Sequence, residues 1–175
     1  MRIIYLLIVS TFIQNMTIFN FNKNSDLSYW TIVDDVVMGG RSDGSFKINK
    51  DGHVEFYGKV SLENNGGFSS LRHNFNKIDG KSYSKFVLRI KSDGKNYQFR
   101  VKDSRYNRYS YITEFKTSGE WQTITIPFNI MYASFRGYRL DMPNYKGNQM
   151  EEIAFLIGNK KEESFNLLID SITIE

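Results

Sequence analysis

The sequence predicts an all-β protein, an antiparallel sandwich or barrel, and three observations lead to this fold class. Apolar and polar residues alternate with period two in about ten short segments, the pattern of strands with one buried face. Asx-Gly dipeptides, typical of tight hairpin turns, separate many of these segments. The 175 residues include 14 Phe, 11 Tyr and 2 Trp but only 2 Pro, and aromatic residues favour strands. With no repeat or linker, the chain is expected to form one domain.

In the N-terminal half, the first predicted strand is MTIFNF, which begins at Met16. The clearest hairpin joins residues 45–50 to residues 53–57 through Asp51-Gly52. Further Asx-Gly turns are predicted at Asp43-Gly44, Asn65-Gly66 and Asp79-Gly80.

The next strands carry the same alternation. A second hairpin is predicted from residues 86–91 and 97–102 around Asp93-Gly94. Residues 109–115 alternate in the same way, and residues 122–128 place Ile124, Ile126 and Phe128 on one face.

The last two strands have signals of their own. Residues 153–157, IAFLI, are apolar on both faces and predict a central strand covered on both sides. The final strand, residues 165–174, changes its phase at Asp170, which indicates a bulge or bend. A helical turn is predicted only near residues 147–151.

Residues 1–15 are set apart from the predicted domain, which comprises residues 16–175. One Arg precedes a short apolar run from Ile3 to Ile13, too short to span a bilayer but right for the core of a signal peptide. No small-residue cleavage site follows, and a misassigned start codon with translation from Met16 is the alternative. An exported or periplasmic protein is therefore favoured, with a cytoplasmic one as the alternative.

Composition argues against several classes of chemistry. The chain has no Cys, so disulfides, thiolate nucleophiles and zinc–thiolate sites are excluded. It has only two histidines, His53 and His73, which are too few for most metal or acid–base sites built from histidine. The net charge of +4 permits anionic partners without indicating them. We expect no cofactor, no metal and no enzymatic activity.

The stretch VDDVVMGGRS, residues 33–42, combines two carboxylates with a double glycine. Asp34 and Asp35 are adjacent, so in a strand they point to opposite faces and cannot act together as acid and base. Gly39-Gly40 lacks the Lys and the helix of a phosphate-binding loop. We expect a strand that ends in a tight Gly-Gly turn, with one Asp accepting backbone N–H bonds and the other exposed or structural.

Residues 95–116 mix six Lys/Arg with six aromatic residues, a composition that single-strand nucleic-acid binders share. Alternation places the rings on one strand face and the basic residues on the other, whereas a stacking platform needs both on one face. The pattern therefore predicts core aromatics beneath a solvated basic exterior, and no nucleic acid as partner.

Loop residues leave a carbohydrate-binding hypothesis open. Antiparallel sandwiches often bind sugars at loop ends through aromatic rings and polar side chains. Suitable groups are Asn64, Asn65, Phe68, Arg136 and Tyr138.

Several motifs together resemble the complex I intermediate-associated protein family, from about Phe19 to Ile174. They are Asp34-Asp35-x-x-Met38-Gly39-Gly40-x-Ser42, Glu63-Asn64-Asn65-Gly66-Gly67-Phe68, Gly119-Glu120-Trp121 and Phe135-Arg136-Gly137. The resemblance implies a galactose-binding-like jelly-roll sandwich and no established catalysis. For mitochondrial members it implies a chaperone role in the assembly of NADH:ubiquinone oxidoreductase.

The expected function is a non-enzymatic domain that binds another protein, such as an intermediate of a membrane complex, without a transmembrane span of its own. The alternative is a carbohydrate-binding module of an exported protein. We expect residues 33–42 to lie beside the loop 63–68 and to form a rigid edge with it. The predicted binding residues are Asp34, Asp35, Met38, Gly39, Gly40, Asn64, Asn65, Gly66, Gly67, Phe68 and Arg136.

Overall fold

The fold is a sandwich of two antiparallel sheets, described here from a computed structural model that covers residues 14–175. The predicted signal peptide falls almost wholly outside these residues. Three short 3-10 helices, Asp35–Met38, Glu63–Asn65 and Phe128–Ile130, interrupt the strands. The strands are β1 (Met16–Asn20), β2 (Trp30–Asp34), β3 (Asp43–Ile48), β4 (Val54–Val60), β5 (Ser69–Asp79), β6 (Lys85–Ser92), β7 (Asn96–Lys102), β8 (Ser110–Lys116), β9 (Gln122–Pro127), β10 (Tyr132–Phe135), β11 (Tyr138–Arg139), β12 (Gln149–Ile157) and β13 (Glu163–Ile174).

The sheet topology confirms the all-β jelly-roll prediction. One sheet has six strands in the order β3-β4-β13-β6-β9, with β1 paired to β13. The other has seven strands in the order β11-β10-β8-β7-β12-β5-β2. Within residues 14–175, the structure has no helix that is both long and apolar enough to cross a membrane.

Aromatic side chains join the two sheets in the core. The ring of Phe86 in the six-stranded sheet lies 4.8 Å from that of Phe99 in the seven-stranded sheet. Phe99 in turn contacts Phe155 of β12, with ring centroids 5.3 Å apart. Strand β12 is central in its sheet, and its outward residues Ala154 and Leu156 are buried like its inward ones, as residues 153–157 predicted. The predicted irregularity of the last strand is also present, as a register shift between Ile169 and Ser171 opposite β6.

The two predicted hairpins have different outcomes. Strands β3 and β4 form the first one, and Gly52 adopts the positive φ of +92° that its turn requires. The second hairpin is wrong, because β6 belongs to the six-stranded sheet and β7 to the seven-stranded one. The Asp93-Gly94 turn therefore crosses between sheets. The Asp93 carboxylate fixes this crossing. It accepts a hydrogen bond from the backbone N–H of Asn166 at 2.9 Å and forms an ion pair with Lys95 at 2.7 Å.

Two smaller predictions also fail. Asp43-Gly44 is not a turn but the start of β3, where Gly44 pairs with Gly58. The helical turn near residues 147–151 is absent, since Gln149 already begins β12. In contrast, the opposed faces predicted for the basic and aromatic residues are confirmed in β7, where Tyr97 and Phe99 are buried in the core and Arg100 and Lys102 face outward.

Candidate functional site

The site is built on the carboxylate of Asp35, which is fully buried at the end of β2. One oxygen accepts a hydrogen bond from the backbone N–H of Ser42 at 2.9 Å. The other accepts from the Ser42 hydroxyl, from the N–H of Gly67 and from the N–H of Phe68 at 3.2 Å. Burial by itself would raise the pKa of Asp35, but the hydrogen bonds from Ser42, Gly67 and Phe68 together hold that pKa below its usual value. Asp35 is therefore an ionised anchor that joins two loops.

Ser42 extends this anchor to a third segment of the chain. Its hydroxyl donates to Asp35 and accepts a hydrogen bond from the backbone N–H of Ser61 at 3.0 Å. Asp34 makes a separate contact, accepting from the N–H of Gly44 at the start of β3 at 2.9 Å. Both carboxylates thus bind backbone groups, and the prediction that one Asp fixes the turn is confirmed for Asp35.

Close packing around Asp35 requires one glycine of each doublet, and the backbone conformation requires the other. A Cβ on Gly40 would lie 2.3 Å from a carboxylate oxygen of Asp35, and a Cβ on Gly66 would lie 2.6 Å from the other. Gly39 and Gly67 have φ angles of +91° and +138°, which side-chain-bearing residues rarely adopt. The preference for an architectural over an anion-binding role for these glycines agrees with the geometry.

The chain after Asp35 differs from the predicted strand and tight turn. It forms the 3-10 helix Asp35–Met38, which ends at Gly39. This short helix points three consecutive apolar side chains outward, and Leu62 of the neighbouring loop adds a fourth. We call these four residues the apolar edge; their exposed fractions are 59% for Val36, 76% for Val37, 56% for Met38 and 42% for Leu62.

Polar groups border the apolar edge. Arg41 and Glu63 form an ion pair at 3.1 Å that links the two loops on the solvent side. Asn64 and Asn65 follow with φ angles of +54° and +60°, the left-handed conformation that Asn tolerates better than most residues. An apolar centre with a polar rim is the usual composition of a protein–protein contact.

The predicted adjacency of residues 33–42 and the loop 63–68 is confirmed, because Asp35 bonds to Gly67 and Phe68 directly. All predicted binding residues except Arg136 belong to these two loops. Arg136 lies in the turn between β10 and β11, while Phe68 precedes β5, and β8, β7 and β12 lie between. At about 4.8 Å per strand, that separates the two by about 19 Å across the sheet.

Sequence reasoning missed Val36, Val37 and Leu62 as candidate contact residues. The run VVM follows a strand directly and is as apolar as the strand itself, so alternation alone does not show that it is exposed. No local signal in the sequence shows it, because the exposure follows from the turn of Asp35 toward the distant Gly67 and Phe68.

A cavity of the described structure lies away from the apolar edge. This cavity, of about 150 Å³, is lined by Asp103, Tyr111 and Tyr145 among others. It is smaller than the roughly 300–1,000 Å³ that is typical of small-molecule sites. Within residues 14–175, no three His, Asp or Glu side chains are grouped as metal ligands.

Solved structures with a similar fold include carbohydrate-binding modules. A family 11 module from Clostridium thermocellum, in complex with a β-1,3-1,4-mixed-linked tetrasaccharide, matches with a TM-score of 0.69 at 18% identity, covering 91% of this chain and 94% of that one. A family 29 module matches with a TM-score of 0.55 at 12% identity, covering 93% of this chain and 91% of that one. At these identities the likeness shows the fold alone.

Sequence comparison is more specific. The mouse (Mus musculus) protein "Complex I intermediate-associated protein 30, mitochondrial" is 24% identical over 184 residues, which cover 92% of this chain and 56% of the relative. The chain thus spans little more than half the length of this relative. The family model described as "Complex I intermediate-associated protein 30 (CIA30)" matches residues 19–169. The chain therefore belongs to the complex I intermediate-associated protein 30 family.

Proposed function

We propose that the chain is a non-enzymatic protein-binding domain that acts as an assembly chaperone for an intermediate of respiratory complex I, and that the apolar edge is its contact surface. Family membership supports the class of partner. The observation that carries the choice of surface is the exposure of Val36, Val37 and Met38 directly beside the buried Asp35 anchor.

The energetics of this arrangement produce a preorganised surface. Burying a charged carboxylate is costly unless it is fully hydrogen-bonded, and here the bonds all go to the two loops that carry the apolar edge. The loops are thus held in one conformation before any partner arrives. A rigid surface loses less conformational entropy on association than a mobile one, which strengthens binding.

The same geometry argues against hydrolytic chemistry at this site. A pair of catalytic carboxylates must face one another across a cleft. Asp34 and Asp35 instead accept hydrogen bonds from backbone amides, Asp34 from Gly44 and Asp35 from Ser42, Gly67 and Phe68. Neither carboxylate is arranged to transfer a proton to a substrate.

We expect Val37→Asp to weaken partner capture by about thirtyfold or more, because a desolvated hot-spot side chain contributes about 2 kcal/mol or more to binding. The measurement is co-purification of tagged variants from membranes of the organism that encodes the chain. The captured amount of complex I subunits, identified by mass spectrometry, is the readout.

Ile130→Asp is the matched control. Ile130 is also β-branched, also in a 3-10 helix and 50% exposed, but it belongs to the helix Phe128–Ile130 outside the two loops. It should leave capture unchanged. Equal capture by wild type and Val37→Asp, or equal loss in both variants, would contradict the assignment of the apolar edge.

A carbohydrate-binding module of an exported protein is the second candidate, and the modules with a similar fold support it less strongly. Its two principal predicted contacts, Phe68 and Arg136, lie on different parts of the seven-stranded sheet rather than in one site. We therefore expect no rise in melting temperature with a mixed-linked β-glucan tetrasaccharide, since only a ligand that binds the native state stabilises it. A rise that Phe68→Ala or Arg136→Ala abolishes would favour the carbohydrate-binding function instead.

A further inference from the structure

A second polar surface lies on the outer face of the seven-stranded sheet, away from the core. Cross-strand pairing there aligns one row of side chains across six strands, in the order Tyr132, Ile112, Arg100, Ala154, Arg72 and Thr31. Residues directly opposite in antiparallel strands share a face, so this row continues without a change of side. At about 4.8 Å per strand the row is about 24 Å long.

Two arginines dominate the centre of this row. Arg100 and Arg72 are the direct neighbours of Ala154 on its two sides. Ala154 is 2% exposed although it faces outward, so the side chains around it cover it. With only a methyl group between them, the two guanidinium groups share one surface.

Neither arginine has an acidic partner in the described part of the chain, residues 14–175, where no carboxylate oxygen lies within 4.0 Å of either guanidinium. Arg100 bonds instead to the neutral side-chain oxygen of Gln98, through Nε at 3.1 Å and Nη2 at 2.6 Å. The nearby Glu152 pairs with Lys102 at 3.8 Å. Burial, and next the charge of Arg72, lower the pKa of Arg100 to about 10, while Tyr132 and Glu152 partly oppose this lowering.

We propose that Arg72 and Arg100 form a carboxylate-binding site that receives acidic side chains of an extended segment of a protein partner. A planar guanidinium can hold a carboxylate through two parallel hydrogen bonds, and Gln98 already orients the Arg100 fork. The backbones of Arg72 and Arg100 are two strands apart, about 10 Å, and alternate positions of an extended segment are about 7 Å apart. The long Arg and Glu side chains span the difference, so the two forks suit a strand-like segment that carries acidic residues at alternate positions.

The row favours a peptide over an acidic saccharide. A sugar ring is usually held against an open aromatic face, and Tyr132 is the one aromatic residue of the row. Its ring already has the Arg139 guanidinium over it, 4.7 Å from the centroid. Charge recognition by the two arginines is left as the main source of specificity.

The proposal rests on the protein-binding function proposed above but uses a different surface from the apolar edge. The probe is a capped, fluorescently labelled hexa-glutamate peptide, with hexa-glutamine of the same design as the neutral control. Binding to the whole chain is followed by fluorescence anisotropy at low and at physiological ionic strength. We expect hexa-glutamate to bind, hexa-glutamine not to bind, and salt to weaken the binding.

Arg72→Met and Arg100→Met should each weaken hexa-glutamate binding about tenfold, the loss of one charge-assisted pair. Met keeps an apolar stem over Ala154, so the fold is retained. Arg89→Met is the matched control, because Arg89 is an exposed strand arginine on the six-stranded sheet. A further variant, Thr31→Glu, places a carboxylate directly across from Arg72 and should weaken binding by occupying that guanidinium.

Three outcomes would overturn the site: no binding of hexa-glutamate, equal weakening by Arg89→Met, or preferential binding of oligogalacturonate, an acidic saccharide. Val37→Asp should leave hexa-glutamate binding unchanged. If partner capture fails to depend on Val37 while hexa-glutamate binding depends on both arginines, the apolar edge is wrong and this site stands. If partner capture depends on Val37 while hexa-glutamate binding does not depend on the arginines, the carboxylate-binding site is wrong and the apolar edge stands.

Discussion

Replacing Asp35 by Ala is expected to lower the free energy of unfolding by about 4 kcal/mol. The substitution removes the acceptor of four hydrogen bonds, which come from the N–H and hydroxyl of Ser42 and from the N–H groups of Gly67 and Phe68. An unsatisfied buried donor costs about 1–3 kcal/mol, and water entering the vacated space will restore part of the loss. The measurement is urea unfolding at neutral pH, followed by tryptophan fluorescence.

Asp34→Ala is the natural control for this experiment. Asp34 is the adjacent residue of the same type, but it is only half-buried and accepts a single hydrogen bond, from Gly44. Its loss should cost about 1 kcal/mol. If Asp35→Ala were no more destabilising than Asp34→Ala, the buried carboxylate would not be the anchor of the two loops.

The same variant tests the link between stability and binding. Asp35 lies behind the apolar edge and does not belong to it, so it can affect a partner only through the conformation of the loops. We therefore expect Asp35→Ala to reduce capture even under conditions where the domain is still folded. Amide hydrogen exchange should show the change as faster exchange at Gly67 and Phe68, whose N–H groups lose their acceptor.

The strands could be predicted from the sequence because their signal is local. Alternation placed Phe99 inward and Arg100 outward correctly, and the phase change at Asp170 located the bulge of β13. Pairing between strands is not local. Asp51-Gly52 and Asp93-Gly94 are the same dipeptide between similar segments, yet the first closes a hairpin and the second joins two sheets. The difference depends on contacts with distant residues such as Asn166.

In the candidate site, too, local features could be predicted from the sequence and features that depend on distant residues could not. The glycine doublets and the acidic pair marked the two loops, and shared loop chemistry indicated that they would meet. The exposure of Val36 and Val37 could not be predicted, because it follows from the inward turn of Asp35 toward Gly67 and Phe68, residues more than thirty positions away. Arg136 was grouped with the loops from residue type alone, and sheet order separates it from them.

Acidification from about pH 6.5 to pH 4 is expected to destabilise the domain by about 3 kcal/mol through His73 alone. His73 is 5% exposed and stacks on Trp30 with ring centroids 4.4 Å apart. Burial lowers the pKa of His73 from 6.5 to about 4. Between these two pH values His73 is protonated in the unfolded chain but not in the folded domain, so protonation favours unfolding. The stability is thus complete above pH 6.5 and is lost progressively as the pH falls toward 4, at about 1.4 kcal/mol per pKa unit.

His73→Phe should flatten this pH dependence, since Phe keeps an aromatic ring beside Trp30 but cannot be protonated. The test is urea unfolding of both proteins at a series of pH values between 7 and 4. His53→Gln is the control: His53 is partly exposed beside Asp170, at 3.0 Å, and its replacement should leave the loss assigned to His73 in place. Asp35 does not interfere, because its pKa lies below the ordinary carboxyl value of 3.8 and its contribution is lost only at lower pH. An unchanged slope in His73→Phe would mean that His73 accepts its proton in the folded domain without cost, and the assignment of the pH dependence to this histidine would be wrong.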